Sequence, residues 1–294
     1  MTKTENDRKY VEEFEAELTR QGKSINTVKT YTRNAHLFID WLEATTGEQF
    51  KGKISVFDGR EYRAYLTTVR KQKPNTVNAK LEAVQQLVNF LQGRGEHTPI
   101  KIVRQKAVAN CSVKVLDKAA LYKCRRWANS YSSVRDAAIF ELLVNTGLRV
   151  SELAALTTDD VQISKRKGCV IVRAGKGGKY REVPMNADAR NAVQRYLDVR
   201  PRSTDTQLFL GERGPLKRGA VAKVVRKIGW KGAGEPNLSP HDLRHTCFTN
   251  MAKNGVDLKT IADLAGHSDV KLTAKYYIAT TDQDREAAVE GLNL

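Results

Sequence analysis

From Val134 to Leu156 the chain reads VRDAAIFELLVNTGLRVSELAAL, and its punctuation decides the fold of the larger part. The run Val134-Arg135-Asp136 through Val144 carries apolar residues at the spacing of an amphipathic helix. Thr146-Gly147 supplies a C-terminal stop, and Ser151-Glu152-Leu153-Ala154-Ala155-Leu156 opens another helix. Arg149 falls just after the stop. Nearly a hundred residues downstream come His241-Asp242-Leu243-Arg244-His245, then Leu264-Ala265-Gly266-His267, then Tyr276. His241 and Arg244 stand at i, i+3, which puts them on one helix face.

Between these helical stretches the pattern changes. Val161–Ile163, Cys169–Arg173 and Tyr180–Val183 have strand character, joined by turns at Ser164–Gly168 and Gly175-Lys176-Gly177-Gly178, so a small antiparallel sheet is expected. Helical patterns resume at Ala187–Val199, Ala220–Ile228, Asp242–Asn254 and Leu258–Ala265.

The first part reads as helices throughout. Tyr10, Val11, Phe14 and Leu18 recur at helical spacing before Gly22. Ser24-Ile25-Asn26-Thr27 then caps a segment whose apolar face is Val28, Tyr31, Ala35, Phe38, Ile39 and Leu42. A third helix is expected around Asp58–Val69. A fourth follows Pro74-Asn75-Thr76-Val77, with Leu81, Val84, Leu87, Val88 and Leu91 inward. Asn-Thr-Val opens both the second and the fourth segment, read as shared capping chemistry. Residues 93–114, GRGEHTPIKIVRQKAVANCSVK, hold five basic residues, one acid and no sustained periodicity. The expected organisation is a helical domain over 1–98, a basic linker over 99–114 and a second domain over 115–294. The fold class is mainly α, with one small antiparallel sheet in the second domain.

Composition narrows the partner. The net charge is +17, and it is uneven: residues 1–98 hold 16 Lys+Arg against 13 Asp+Glu, a net of +3, whereas residues 99–294 hold 34 against 20, a net of +14. A polyanion is the natural partner for the second part. The stretch Asp282–Leu294 reverses the sign, with four acids against Arg285, and is not expected on phosphate. No apolar run approaches a membrane span and the polar MTKTENDRKY start is no signal peptide, so a cytoplasmic, nucleoid-associated location is expected. Cys111, Cys124, Cys169 and Cys247 lack CxxC spacing and read as reduced thiols, with no structural metal expected.

The chemistry-bearing residues suit a phosphodiester. An in-line attack loads charge on the non-bridging oxygens, and guanidinium groups answer it with permanent charge and paired donors, which is a task for Arg149 and Arg244. Lys176, in a glycine turn between strands, can project an ammonium toward a leaving oxygen. Tyr276 lies nine residues after His267 (276 − 267). A phenol with a pKa of about 10 attacks poorly unless a base or cationic pocket assists it, which nearby His and Arg side chains would do. Taken singly each is ordinary: a surface arginine, a hairpin lysine, a core tyrosine.

Together, in the order Arg149, Lys176, His241, Arg244, His267, Tyr276, they resemble the tyrosine recombinases of the phage-integrase family. The resemblance rests on TGLRVSEL, GKGGK, HDLRH, LAGH and Tyr276, strongly from about residue 117 to 280. It extends more weakly to Ser24–Tyr31 and Phe38–Leu42, which look like that family's core-binding domain. One departure is that Tyr277-Ile278 follows Tyr276 where many members place a histidine two positions after the tyrosine. Tyr277 is therefore held in reserve as the nucleophile. The resemblance implies a C-shaped clamp on double-stranded DNA with paired recombination sites, a homo-tetramer, and no metal, nucleotide or other cofactor. It also implies roles: Tyr276 attacks, Arg149 and Arg244 clamp the phosphate, His267 donates to it, Lys176 protonates the leaving 5′-oxygen and His241 takes the tyrosine proton. The tail Asp284–Leu292 is compatible with a helix docking on a neighbouring subunit. A DNA-binding regulator, with Gly255–Tyr277 as a helix-turn-helix, and a type IB topoisomerase are the competing classes. The first leaves Arg149, Lys176 and the HDLRH helix without a purpose.

Overall fold

The computed structural model describes residues 5–95, 100–105, 114–173 and 180–266, and residues 5–8 by backbone alone. The chain divides into two compact units, Met1–Asn110 and Cys111–Leu294.

The first unit is built from α1 (Glu5–Arg20), α2 (Ile25–Thr46), α3 (Val56–Ala64) and α4 (Pro74–Gly93). Its core is the sum of their apolar stripes: Val11, Phe14 and Leu18 of α1, Phe38 and Ile39 of α2, Tyr62 of α3 and Leu81, Val84 and Leu87 of α4 lie in one buried cluster. Two sequence expectations change here. The third segment is not one helix to Val69, because α3 ends at Ala64 and a single π turn, Tyr65–Val69, follows. The Thr67 and Thr68 hydroxyls donate to the Arg63 and Ala64 carbonyls at 2.8 and 2.7 Å, competing for the acceptors an α-turn needs. The repeated Asn-Thr-Val is not shared capping either. The Ser24 hydroxyl caps α2 by accepting from the Thr27 amide, whereas α4 starts on Pro74 with no side-chain cap at all.

The second unit is organised around α6 (Val134–Thr146), against which α5 (Lys118–Tyr131), α8 (Ala187–Val199), α9 (Arg218–Ala233) and α10 (Pro240–Lys253) pack. Every residue from Ala137 to Val144 is buried, so this helix is not the two-faced one its spacing suggests. Neighbours on all sides require apolar residues on all sides, and the one charge inside, Glu141, is met by Arg125 at 3.1 Å. Beyond α6, Gly147 takes φ +62° and ends the helix. The short α7 (Val150–Ala155) then leads to the antiparallel sheet β1 (Val161–Ile163), β2 (Gly168–Val172) and β3 (Arg181–Pro184), in that order. The second and third strands start and end one residue away from the sequence reading. A two-residue ladder, β4 (Leu210–Gly211) with β5 (Gly214–Pro215), was not anticipated; strands this short leave no periodic trace. The helices α9 and α10 run longer or start earlier than expected, α10 because Ser239 and Asp242 form a capping box ahead of it. The last described helix, α11 (Leu258–Ala265), ends at Gly266 with φ +61°.

Candidate active site

Three elements that are distant in sequence meet at the C-terminal end of α11. Arg244, facing inward from α10 and 3% exposed, donates from Nη2 to the Ala265 carbonyl at 2.6 Å and from Nη1 to the Gly147 carbonyl at 2.5 Å. Its guanidinium lies 4.9 Å from the centre of the Phe248 ring, one turn along the same helix. Arg149, the N-cap of α7, donates from Nη2 to the Gly266 carbonyl at 3.1 Å. The two arginines are thus fixed on adjacent carbonyls, Arg149 from the α6–α7 turn and Arg244 from α10.

Arg149 is held from behind by Glu152. The carboxylate accepts from the Arg149 amide and from Nη1, each at 2.8 Å. It also accepts a forked pair from Arg181 on β3, at 3.0 and 2.8 Å. Burial pushes the Glu152 carboxyl up, and Arg181 and then Arg149 more than reverse this, leaving it below the usual carboxylate range. Glu152 is therefore an anion at neutral pH, sharing its charge between two arginines.

His241 sits one turn before His245 on α10, and their Nε2 atoms are 2.8 Å apart with the rings nearly perpendicular. One proton lies between two nitrogens, so one ring donates and the other accepts. Loss of water around His241, then the positive charge of Arg244, with Arg149 adding to it and Asp242 opposing, lowers its pKa below the ordinary imidazole value. A neutral imidazole beside two guanidiniums is a proton acceptor next to an anion-binding pair.

Of the residues singled out in the sequence, Arg149 and Arg244 meet at the end of α11, and His241 lies near enough for both charges to lower its pKa. His241 and Arg244, on one helix, diverge: Arg244 turns into the core and His241 toward solvent and His245. Lys176, His267, Tyr276 and the reserve Tyr277 lie outside the described residues, as do Cys111 and the 282–294 tail. Sequence reading missed three participants. Glu152 had a signal in its i, i+3 spacing from Arg149. Arg181 had one in its strand parity with buried Val183, since an arginine on an inward strand face demands a buried partner. His245 had one in its i, i+4 spacing from His241, which places the two rings on one helix face.

The phage integrase family matches residues 115–284, and the N-terminal SAM-like domain of phage integrases matches residues 10–95. Tyrosine recombinase XerC of Pelobacter propionicus is 32% identical over 274 residues, covering 90% of this chain and 88% of its own. Tyrosine recombinase XerA of Pyrococcus horikoshii is 31% identical over 281 residues, covering 94% and 91%. Among solved structures, the Tn1549 transposon integrase in complex with a circular intermediate DNA shares the fold, with a TM-score of 0.74 at 20% identity, covering 96% of this chain and 99% of that one. The chain belongs to the phage integrase family of tyrosine recombinases, site-specific enzymes that break and rejoin DNA through a tyrosine. Among the described residues no helix is long and apolar enough to cross a membrane.

Proposed function

We propose that this chain recombines paired sites on double-stranded DNA through a 3′-phosphotyrosine made by Tyr276, without metal or nucleotide. The observation that carries the reading is the seating of Arg149 and Arg244 on the carbonyls at the end of α11, one residue before His267 in sequence, with His241 one turn before Arg244 kept neutral by lost water and by their charge. In this reading the Tyr276 oxygen attacks the scissile phosphorus while its proton passes to His241. The bond to the 5′-oxygen breaks, and Lys176 supplies the proton that makes it a 5′-hydroxyl. Arg149 and Arg244 balance the charge that grows on the non-bridging oxygens, and His267 adds a hydrogen bond. The phosphotyrosine keeps the energy of the broken bond, so a 5′-hydroxyl from a second duplex can attack it, reseal the strand and release Tyr276. Residues 1–98 serve as the core-binding domain, 99–114 as a basic linker and 115–294 as the catalytic domain with its tail. Four copies act on two sites, on nucleoid DNA.

The test uses suicide duplexes nicked beside the scissile phosphate, drawn from the DNA flanking the gene, with wild type, Tyr276→Phe and Tyr277→Phe in EDTA. A protein–DNA adduct that survives denaturation and is lost only in Tyr276→Phe is the expected result. Loss only in Tyr277→Phe moves the nucleophile by one residue. Specific binding with no adduct from any protein sinks the reading in favour of a DNA-binding regulator.

A further inference from the structure

The carbonyls of Leu264, Ala265 and Gly266 are met in turn by Arg181, Arg244 and Arg149, at 3.0, 2.6 and 3.1 Å. The end of a helix leaves its last carbonyls without intrahelical donors, and the negative pole of the helix dipole gathers there. Here guanidinium groups answer both demands, and two of them belong to the proposed phosphate clamp. The third, Arg181, has no place in that clamp. Its side chain is 10% exposed, against 25% for Arg149, and its fork is closed on the two oxygens of buried Glu152 while Nε closes on Leu264. It therefore faces inward, toward the parts that hold Arg149.

Arg181 is also five residues beyond Lys176 in sequence, at the start of β3. It ties three things together: β3, the carboxylate that orients Arg149, and the end of α11, which stops just short of His267 in sequence. Contact is tight at the junction. A Cβ placed on Gly266 would come within 3.0 Å of Arg181 Nη1 and 3.4 Å of Arg149 Nη1, so the backbone there is pinned between two guanidiniums.

We propose that Arg181 is a positioning residue for DNA cleavage, setting Arg149 through Glu152 and fixing the end of α11 through the Leu264 carbonyl. The inference rests on the recombinase reading for its catalytic consequence and on geometry alone for its structural one. Lysine at this position retains charge and a donor but cannot fork across a carboxylate and reach a third acceptor. A displacement of about 1 Å at a reacting centre costs on the order of 100-fold in rate.

Two measurements on Arg181→Lys decide it, with Arg181→Met as a companion. In the full-length protein without DNA, amide hydrogen exchange over residues 262–266 is expected to accelerate while α6 and α9 stay protected. Unchanged exchange there overturns the proposal. On the suicide duplexes, single-turnover cleavage by Arg181→Lys is expected to fall about 10–100-fold with DNA affinity within about twofold of wild type. In an Arg149→Lys background the same substitution should then cost clearly less than it does in wild type, because the route through Glu152 ends on that one guanidinium and only the route through Leu264 is left. Cleavage within twofold of wild type overturns the proposal. So does a full multiplicative loss in the Arg149→Lys background, or a parallel fall of melting temperature, affinity and cleavage, which would make Arg181 a brace for the fold only. Should wild type itself form no adduct, the recombinase reading fails and the exchange measurement alone decides on Arg181.

Discussion

Arg149 and Arg244 donate to neighbouring carbonyls, Gly266 at 3.1 Å and Ala265 at 2.6 Å, so one helix end fixes the separation of the two guanidiniums. Preorganised cations lose little when a phosphate arrives, and their contribution grows as charge develops on it. Arg149→Lys and Arg244→Lys should each lower the single-turnover cleavage rate by roughly 100–1,000-fold while weakening DNA binding far less. Gel-shift affinity beside the rate of adduct formation checks this. Affinity and rate falling by the same factor would mean that the pair merely binds DNA.

The burial of His241 beside Arg244 sets a pH dependence. Loss of water and the nearby Arg244 charge lower the His241 pKa from its ordinary 6.5, so the folded protein takes up a proton there later than the unfolded chain as pH falls. Its contribution to stability is complete above about 6.5 and is lost as pH drops from there through the lower folded value. Cleavage should likewise hold its rate below pH 6.5 and decline only at the lowered value. Replacing His245 with Phe removes the partner of the 2.8 Å bond. Proton NMR titration of His241 in wild type, His245→Phe and Arg149→Gln should show a higher pKa when Arg149 is gone. A His241 value unchanged in Arg149→Gln would separate this ring from Arg149.

The path from sequence to this site was uneven, and the reasons are physical. Ala187–Val199 and Leu258–Ala265 were legible to the residue, because a capping Asn186 and Asp257 precede an apolar stripe and, for α11, Gly266 ends it. Arg149, His241 and Arg244 were legible because their motifs are local. What was not legible is pairing at long range. Glu152 finds Arg181 across 29 residues, and Arg181 reaches Leu264 across 83; no short window contains either contact. The burial of α6 on every side was hidden for the same reason, since an apolar run does not say how many neighbours cover it.

Glu141 gives the opposite pH sign to His241. Burial raises its carboxyl above the ordinary 4.5, with Arg125 and the Asn145 amide only partly reversing this. The folded state then holds the proton more tightly than the unfolded one. The Glu141 contribution to stability should be complete below about 4.5 and be lost as pH rises through the raised folded value. Glu141→Gln abolishes that slope while keeping an oxygen for Arg125. Urea melts of both proteins between about pH 4 and 7.5 should show their difference moving in favour of Gln on going up in pH; parallel curves would refute the burial argument.

Gly147 links Arg244 to the core. It needs φ +62° to end α6, and a Cβ there would stand 2.5 Å from the Phe248 ring, the same ring that lies under Arg244. An L-residue in this backbone region costs about 1–2 kcal/mol, and forcing a methyl into a packed site adds about 1–3 kcal/mol. Gly147→Ala should therefore destabilise the protein by about 2–5 kcal/mol in denaturant melts, the sum of those two costs. Because the Gly147 carbonyl also accepts from Arg244 at 2.5 Å, any protein that still folds should cleave more slowly than its DNA affinity explains. Phe248→Leu combined with Gly147→Ala makes room for the methyl and should recover part of the stability but not the backbone cost. A double variant no more stable than Gly147→Ala alone would show that the ring is not what opposes the side chain.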